Sequence, residues 1–242
     1  MSTTANQPTG YKAGRLEETQ VRAMFDRVAR YYDLLNSVMT AGLHHKWRTR
    51  AADLAAVGPG DRVLDVATGT GDLAIELAGR VGPQGAVVGS DFSPGMLDLA
   101  RRKRPQGIAW ELGNALELPY ESDSFAAATV GFGARNFSDL DQGLREMTRV
   151  VKPGGRVVVL EMTNPTKPPL STFFSLWFDR AVPVLGKISG DPEAYEYLPN
   201  SVKRFPDAHT LAGKLHAAGL DPVKYVLTAG GIIAIHVGQK PA

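Results

Sequence analysis

From position 62 the chain reads Arg62-Val63-Leu64-Asp65-Val66-Ala67-Thr68-Gly69-Thr70-Gly71-Asp72-Leu73-Ala74. A short apolar, β-branched run ends in a glycine loop, and beyond the loop the apolar spacing turns helical. Val63–Ala67 therefore reads as a buried parallel strand and Asp72–Arg80 as the helix after it. Gly69 and Gly71 let the backbone turn sharply and approach a ligand closely where a strand ends and a helix begins. The third glycine of the dinucleotide fingerprint is replaced by Ala74, a permitted variant, so spacing alone does not choose the ligand. Charge does: a carboxylate at Asp72 repels a pyrophosphate at the helix start, whereas with Asp65 it suits a nucleoside carrying an ammonium and a sulfonium.

Working outward, the same alternation continues. Strands are expected at Ala86–Ser90, Ala109–Leu112, Ala126–Gly131 and Arg156–Glu161, and helices at Pro94–Arg104 and Leu140–Val151. Regular βαβ alternation implies a mostly parallel sheet with helices on both faces. Val223–Thr228 and Ile232–Val237 are separated only by Ala229-Gly230-Gly231, a connection so short that it joins antiparallel neighbours, so the sheet ends in a hairpin. Asp91 closes the second strand, where a carboxylate can accept both ribose hydroxyls of a nucleoside, and Asn114-Ala115 follows the third, beside the adenine edge. The plainer alternative is that Asp65 caps a turn and Asp91 caps the helix from Pro94.

The 242 residues carry 27 basic and 25 acidic side chains, a net charge of +2, and no cysteine. That is one large domain, or one domain with a sub-domain, long enough to bury a proper core. Without cysteine there are no disulfides, thiolate zinc sites or iron–sulfur clusters, and no thiol nucleophile. The balance is too even for a strong nucleic-acid binder. Residues 1–16 read as a polar, disordered tail without a signal-peptide core. Residues 17–60 read as a helical N-terminal cap and 61–242 as the ligand-binding domain, with a helical insertion at 164–205. The greasy stretch Leu170–Ile188 is broken by Asp179, Arg180, Pro183 and Lys187 and falls short of the about 20 apolar residues of a membrane span, so the expected location is cytoplasmic. Its helix is either buried core or a lid for an apolar substrate at the membrane surface. Arg101-Arg102-Lys103-Arg104 reads as a solvated face, with anionic lipid or RNA as the alternative.

The ordered set Asp65, Gly69, Thr70, Gly71, Asp91, Asn114 and Ala115 resembles the class I S-adenosylmethionine-dependent methyltransferases. The resemblance implies a Rossmann-like α/β fold, a mostly parallel seven-stranded sheet with one reversed strand. Further blocks resemble one family within it, the UbiE/MenG C-methyltransferases of ubiquinone and menaquinone biosynthesis. They are Tyr32-Asp33-Leu34-Leu35-Asn36, Gly42-Leu43-His44-His45-Lys46-Trp47-Arg48, Phe132-Gly133-Ala134-Arg135-Asn136, Lys152-Pro153-Gly154-Gly155 and Tyr195-Glu196-Tyr197-Leu198-Pro199-Asn200-Ser201-Val202. The family's cofactor positions fall on Thr70, Asp91, Asn114 and Ala115. Thr68 stands where glycine is common, Gly131 where many members have a serine at the cofactor, and His45 where arginine often occurs.

The implied reaction moves a methyl group from S-adenosylmethionine to a ring carbon of a prenylated hydroquinone, most simply demethylmenaquinol to menaquinol, without a metal. A ring carbon is a poor nucleophile until a neighbouring hydroxyl loses its proton, so the site needs a base, placement and dryness. Candidates are Tyr32, Asp33 and His44 for the base or its positioning, Asn136 to orient a quinol oxygen, and Arg135 to stabilise the phenolate, since a guanidinium is a poor base. Each has a structural alternative: Tyr32 and Trp47 as core, His44 as a satisfied histidine, Arg135 paired with Glu161 or Asp139. Competing readings are the benzoquinol precursor of ubiquinone as acceptor, an RNA or protein methyltransferase, a silent cofactor-binding subunit, and a nicotinamide dehydrogenase. No nucleic acid partner is expected; transient contact with a membrane surface is, and a homodimer stays open.

Overall fold

The computed structural model describes residues 19–27, 37, 40, 42–103, 105–163 and 192–242, the side chains of 192–196 and 198 excepted. Tyr32, Asp33 and the greasy stretch Leu170–Ile188 lie outside them. The helices are α1 (19–27), α2 (Leu43–Ala55), α3 (Asp72–Val81), α4 (Pro94–Arg102), α5 (Leu140–Val150), α6 (Pro192–Arg204) and α7 (Ala208–Ala217). The strands are β1 (Arg62–Val66), β2 (Ala86–Asp91), β3 (Ile108–Leu112), β4 (Phe125–Gly131), β5 (Val151–Met162), β6 (Val223–Thr228) and β7 (Ile233–Gln239).

They form one seven-stranded sheet in the order β3-β2-β1-β4-β5-β7-β6. Leu64 of β1 pairs in parallel with Val88 on one side and Ala128 on the other, while β7 runs antiparallel to both β5 and β6. The expected sheet and its reversed strand are therefore present. Strand order departs from β1 in both directions, so a crevice opens beyond the carboxyl ends of β1 and β4, the switch point where open α/β sheets bind ligands.

The strands alternate cleanly between two buried faces. Val63, Val87, Ala127 and Val158 pack on one side with Leu73, Leu77 and Val81 of α3; Leu64, Val88, Ala128, Val157 and Val159 pack on the other with Leu144 and Met147 of α5. Both faces are covered, which is why the strands read as continuous apolar runs. Complete burial of a leucine such as Leu64 or Leu77 contributes about 1.5–3 kcal/mol. Trp47, Ala51, Ala52 and Ala55 of α2 belong to the first of these cores, so α2 is a layer of the sheet rather than a free-standing cap.

The element ends differ from expectation mainly at β5. This strand starts at Val151, before Lys152-Pro153-Gly154-Gly155, and pairing with β4 slips between Phe125 and Ala127. The Pro-Gly-Gly stretch is a bulge inside a strand, and a Cβ on Gly155 would stand 2.5 Å from the Ala126 carbonyl oxygen. Among the described residues no helix is long and apolar enough to cross a membrane.

Candidate functional site

The glycine loop is tied down from below. Asp65, almost wholly buried at the end of β1, accepts hydrogen bonds from the hydroxyls of Thr68 and Thr129, both at 2.6 Å. Burial pushes its carboxyl up to about 6, against the two hydroxyls and Arg48, which favour the charged form. Thr68 thus supplies a side-chain anchor for the loop. Gly71 caps α3 with φ 84°, and a Cβ there would fall 2.3 Å from the Trp110 ring. Both the left-handed backbone and the close approach of Trp110 require glycine. A Cβ on Gly69 would meet nothing within 4 Å, because open space lies in front of this part of the loop.

Asp91 stands across that space at the end of β2. Its Oδ2 accepts the Gly69 N–H at 2.8 Å and its Oδ1 the Ser93 N–H at 2.9 Å. Burial, reinforced by the nearby Asp26 carboxylate, raises Asp91 to about 6 although the N–H groups of Ser93, Gly69 and Phe92 pull the other way. Asp26 comes from α1: its Oδ1 accepts the Ser93 hydroxyl at 2.5 Å and the Gly95 N–H at 3.1 Å, so α1 docks on the first turn of α4. Phe25 meets Phe92 edge-on at 6.4 Å beside it. Asn114 holds its own loop, its Oδ1 accepting the Leu116 N–H at 2.9 Å.

The third corner carries compensated charge. Asp72 is paired with Lys103 at 2.5 Å and Arg48 at 3.4 Å, and these cations lower its pKa despite partial burial. The expectation that Asp72 offers a free negative charge to a cationic ligand is thereby corrected: two cations already neutralise it. Lys103 also reaches the Thr70 hydroxyl at 3.1 Å, so this exposed member of the basic run is tied to the glycine loop. His44 is buried, with its ring nitrogens on the Ser37 hydroxyl and the Arg48 guanidinium. His44, His45 and Asp72 lie close enough together to hold a metal ion, but the Arg48 guanidinium bonds His44 and pairs with Asp72, placing a positive charge at that spot.

The last wall follows β4. Gly131 leads into Phe132, whose φ of 62° is strained for an aromatic residue and marks a functional turn. The Trp47 ring lies edge-on at 6.4 Å and the Arg48 guanidinium at 5.6 Å from the Phe132 ring. A Cβ on Gly131 would sit 3.2 Å from Leu73 Cδ2, so a serine at this position would have to crowd α3. Arg135 is buried in a pair with Glu161 at 2.7 Å and donates to the Phe132 carbonyl at 2.6 Å. Asn136 Oδ1 accepts the Tyr197 hydroxyl from α6 at 3.1 Å.

Together these walls line a cleft open to solvent, about 880 Å³ with the open space in front of it included. Seven of the eight expected cofactor residues line it, Asp65, Gly69, Thr70, Asp91, Asn114, Ala115 and Gly131, whereas Gly71 does not: it packs against the Trp110 ring. Of the expected catalytic residues, Asn136 lines the cleft, whereas Arg135 and His44 stand behind it and Tyr32 and Asp33 lie outside the described residues. The alternative weighed for Arg135, a pair with Glu161, is the one observed. Arg48, Phe25 and Phe132 line the cleft without having been singled out. The one available signal was the placement of Arg48 and Phe132 inside family blocks.

Comparison with known proteins bears on this cleft directly. The model of the ubiE/COQ5 methyltransferase family matches residues 13–240. A demethylmenaquinone methyltransferase of Thermus thermophilus is 46% identical, covering 90% of this chain and 100% of that protein. One from Deinococcus radiodurans is 47% identical over 91% and 92%. A ubiquinone/menaquinone biosynthesis C-methyltransferase of Serratia proteamaculans is 41% identical over 96% and 95%. Among solved structures, a SAM-dependent methyltransferase of Thermotoga maritima superposes with a TM-score of 0.64 at 18% identity, covering 90% of this chain and 99% of that one. The [4+2]-cyclase SpnF gives 0.67 at 21%, covering 93% and 96%. The fold alone thus does not choose the chemistry.

The residues present fit S-adenosylmethionine. The buried Asp91 carboxylate faces the cleft at the end of β2 and offers acceptor oxygens of the kind ribose hydroxyls require. The open space before Gly69 admits a nucleoside against bare backbone. With the family model spanning nearly all of the sequence and the relatives aligned end to end, the chain belongs to the ubiE/COQ5 methyltransferase family and is an S-adenosylmethionine-dependent C-methyltransferase.

Proposed function

We propose that the acceptor is demethylmenaquinol and the product menaquinol. The observation that carries this reading is the full-length similarity to proteins named demethylmenaquinone methyltransferase, at 46% and 47% identity. When bound, S-adenosylmethionine supplies a methyl group on a sulfonium. Asp91 and the Asn114-Ala115 loop hold the nucleoside end; Gly69, Thr70 and Gly71 give it backbone, and Gly131 leaves room where β4 meets it. Phe132 and Phe137, on the same wall as Asn136, exclude water from the acceptor end. There the Asn136 amide donates to the quinol oxygen whose charge feeds the attacking ring carbon.

Arg135, seated against Glu161 and the Phe132 carbonyl, positions this turn. Tyr32 and Asp33 are proposed as the proton acceptor and its positioner. A second reading, the benzoquinol precursor of ubiquinone, is favoured by the relatives named for both pathways. The acceptor carries a prenyl chain, so contact with a membrane surface is part of the proposal; co-flotation of the protein with anionic vesicles tests it.

Transfer of labelled methyl from S-adenosylmethionine to reduced short-chain demethylmenaquinone, with the benzoquinol in parallel, tests the assignment. A larger kcat/KM for the naphthoquinol supports it. A larger value for the benzoquinol selects the second reading, and transfer to neither refutes both.

A further inference from the structure

A primary amide offers opposite chemistry at its two ends: Oδ1 repels a developing phenolate oxygen and Nδ2 stabilises it. The function of Asn136 on the cleft wall therefore depends on which end faces inward. Its backbone N–H closes the 3-10 turn onto the Gly133 carbonyl at 3.0 Å, which fixes the main chain but leaves the amide free to rotate by half a turn. The side-chain contact at 3.1 Å from Asn136 Oδ1 is the hydroxyl of Tyr197.

Tyr197 reaches the site from α6, which packs on the 3-10 turn Ala134–Asn136. Burial holds its phenol above the ordinary tyrosine range, although Arg135 and Arg204 work against this, so the group stays an O–H donor. The Arg204 guanidinium stands 6.0 Å from the centre of the Tyr197 ring. With Oδ1 engaged by that hydroxyl, Nδ2 is left without a protein partner among the described residues, on a residue that lines the cleft.

We infer that Tyr197 is a positioning residue for methyl transfer: its hydroxyl holds Asn136 Oδ1 so that the amide N–H groups face the acceptor oxygen. This rests on the proposed role of Asn136 at a quinol oxygen, and it extends the acceptor site to the helix that follows the insertion. The same sequence block that marks the family at Tyr195–Val202 thereby gains a task that no loop near the cofactor performs.

A double-mutant cycle tests it with Tyr197→Phe and Asn136→Ala. Tyr197→Phe keeps the ring and loses only the hydroxyl. The expected result is an at least tenfold lower kcat, S-adenosylhomocysteine affinity by calorimetry within twofold of wild type, and an unchanged KM for S-adenosylmethionine. In the Asn136→Ala background, Tyr197→Phe should change kcat by less than twofold. An unaltered kcat in Tyr197→Phe alongside a loss in Asn136→Ala would overturn the role of Tyr197 and leave that of Asn136 standing. Losses that multiply in the double variant would also overturn it, and a harmless Asn136→Ala would remove both. The wild-type protein gives a second test that needs no variant. With asparagine ¹⁵N-labelled, the Asn136 side-chain amide resonance should move on addition of short-chain menaquinol, and an unmoved resonance would refute the inward-facing amide.

Discussion

Replacing Asp91 with asparagine separates two effects that the structure superimposes. The wild-type carboxyl is raised from 3.8 to about 6, so holding it ionised at neutral pH costs about 3 kcal/mol relative to the unfolded chain. Asparagine removes that cost. In exchange, one of the two backbone donors now held, Gly69 N–H at 2.8 Å or Ser93 N–H at 2.9 Å, meets an amide N–H instead of an acceptor, a loss of about 1–3 kcal/mol. The two nearly cancel, and the melting temperature at pH 7 should stay within about 5 °C of wild type.

Affinity has no such compensation. Charge-assisted hydrogen bonds to the ribose hydroxyls are lost, worth about 1.5–3 kcal/mol, so Kd for S-adenosylhomocysteine should rise roughly 10- to 150-fold by calorimetry. The sign of the pH effect follows from the raised pKa. The folded protein keeps a proton on Asp91 up to about pH 6 that the unfolded chain releases near 3.8, so this carboxyl's contribution to stability is fully present below about pH 4 and is lost as pH rises through 6. The melting temperature of Asp91→Asn relative to wild type should accordingly climb between pH 5 and pH 7. Unchanged Kd, or a relative melting temperature that falls over that interval, would refute the reasoning.

Glu161→Gln leaves the buried Arg135 guanidinium without its anionic partner and should destabilise the fold by about 3–5 kcal/mol, read as a lower midpoint in urea. Gly71→Ala forces an L side chain to φ 84° with its Cβ 2.3 Å from the Trp110 ring; a loss of at least about 2 kcal/mol is expected, with a midpoint equal to wild type counting against the steric account. Gly95→Ala places a Cβ 2.8 Å from Asp26 Oδ1 and should loosen α1 without touching the core. Trypsin cleavage after Arg22 and Arg27 should then speed up and S-adenosylhomocysteine dissociate faster, at an unchanged core melting temperature.

Much of the architecture was legible because the strands are buried on both faces and say so. Val63-Leu64 and Val157-Val158-Val159 have no polar side to mislead, and the glycine loop after β1 marks the switch point by itself. Asp91 and Asn114 were legible for the same reason, since their place at strand ends follows from topology. The Lys152–Gly155 bulge was not, because Pro-Gly-Gly reads locally as a turn and only pairing with β4 keeps it in the sheet.

Side-chain partners over long separations were the harder part. Asp72 looked like a free charge because Lys103 lies 31 residues away and reaches it only after α4 has folded back. Arg135 looked like an oxyanion group because nothing local shows that Glu161, 26 residues on, takes its guanidinium. Tyr197 was visible as part of a block but not as a neighbour of Asn136, 61 residues earlier. Contacts of this kind arise from packing, which spacing does not encode.

The account's central claim is that one cleft holds the nucleoside on Asp91 and the acceptor on Asn136. A crystal structure with S-adenosylhomocysteine and short-chain menaquinol tests it most directly. The account predicts both ribose hydroxyls on the Asp91 carboxylate and a quinol oxygen within hydrogen-bond distance of Asn136 Nδ2, at the end of the cleft bounded by Phe132 and Phe137. A nucleoside bound away from Asp91, or a quinol oxygen held by other groups with Asn136 turned aside, would contradict it.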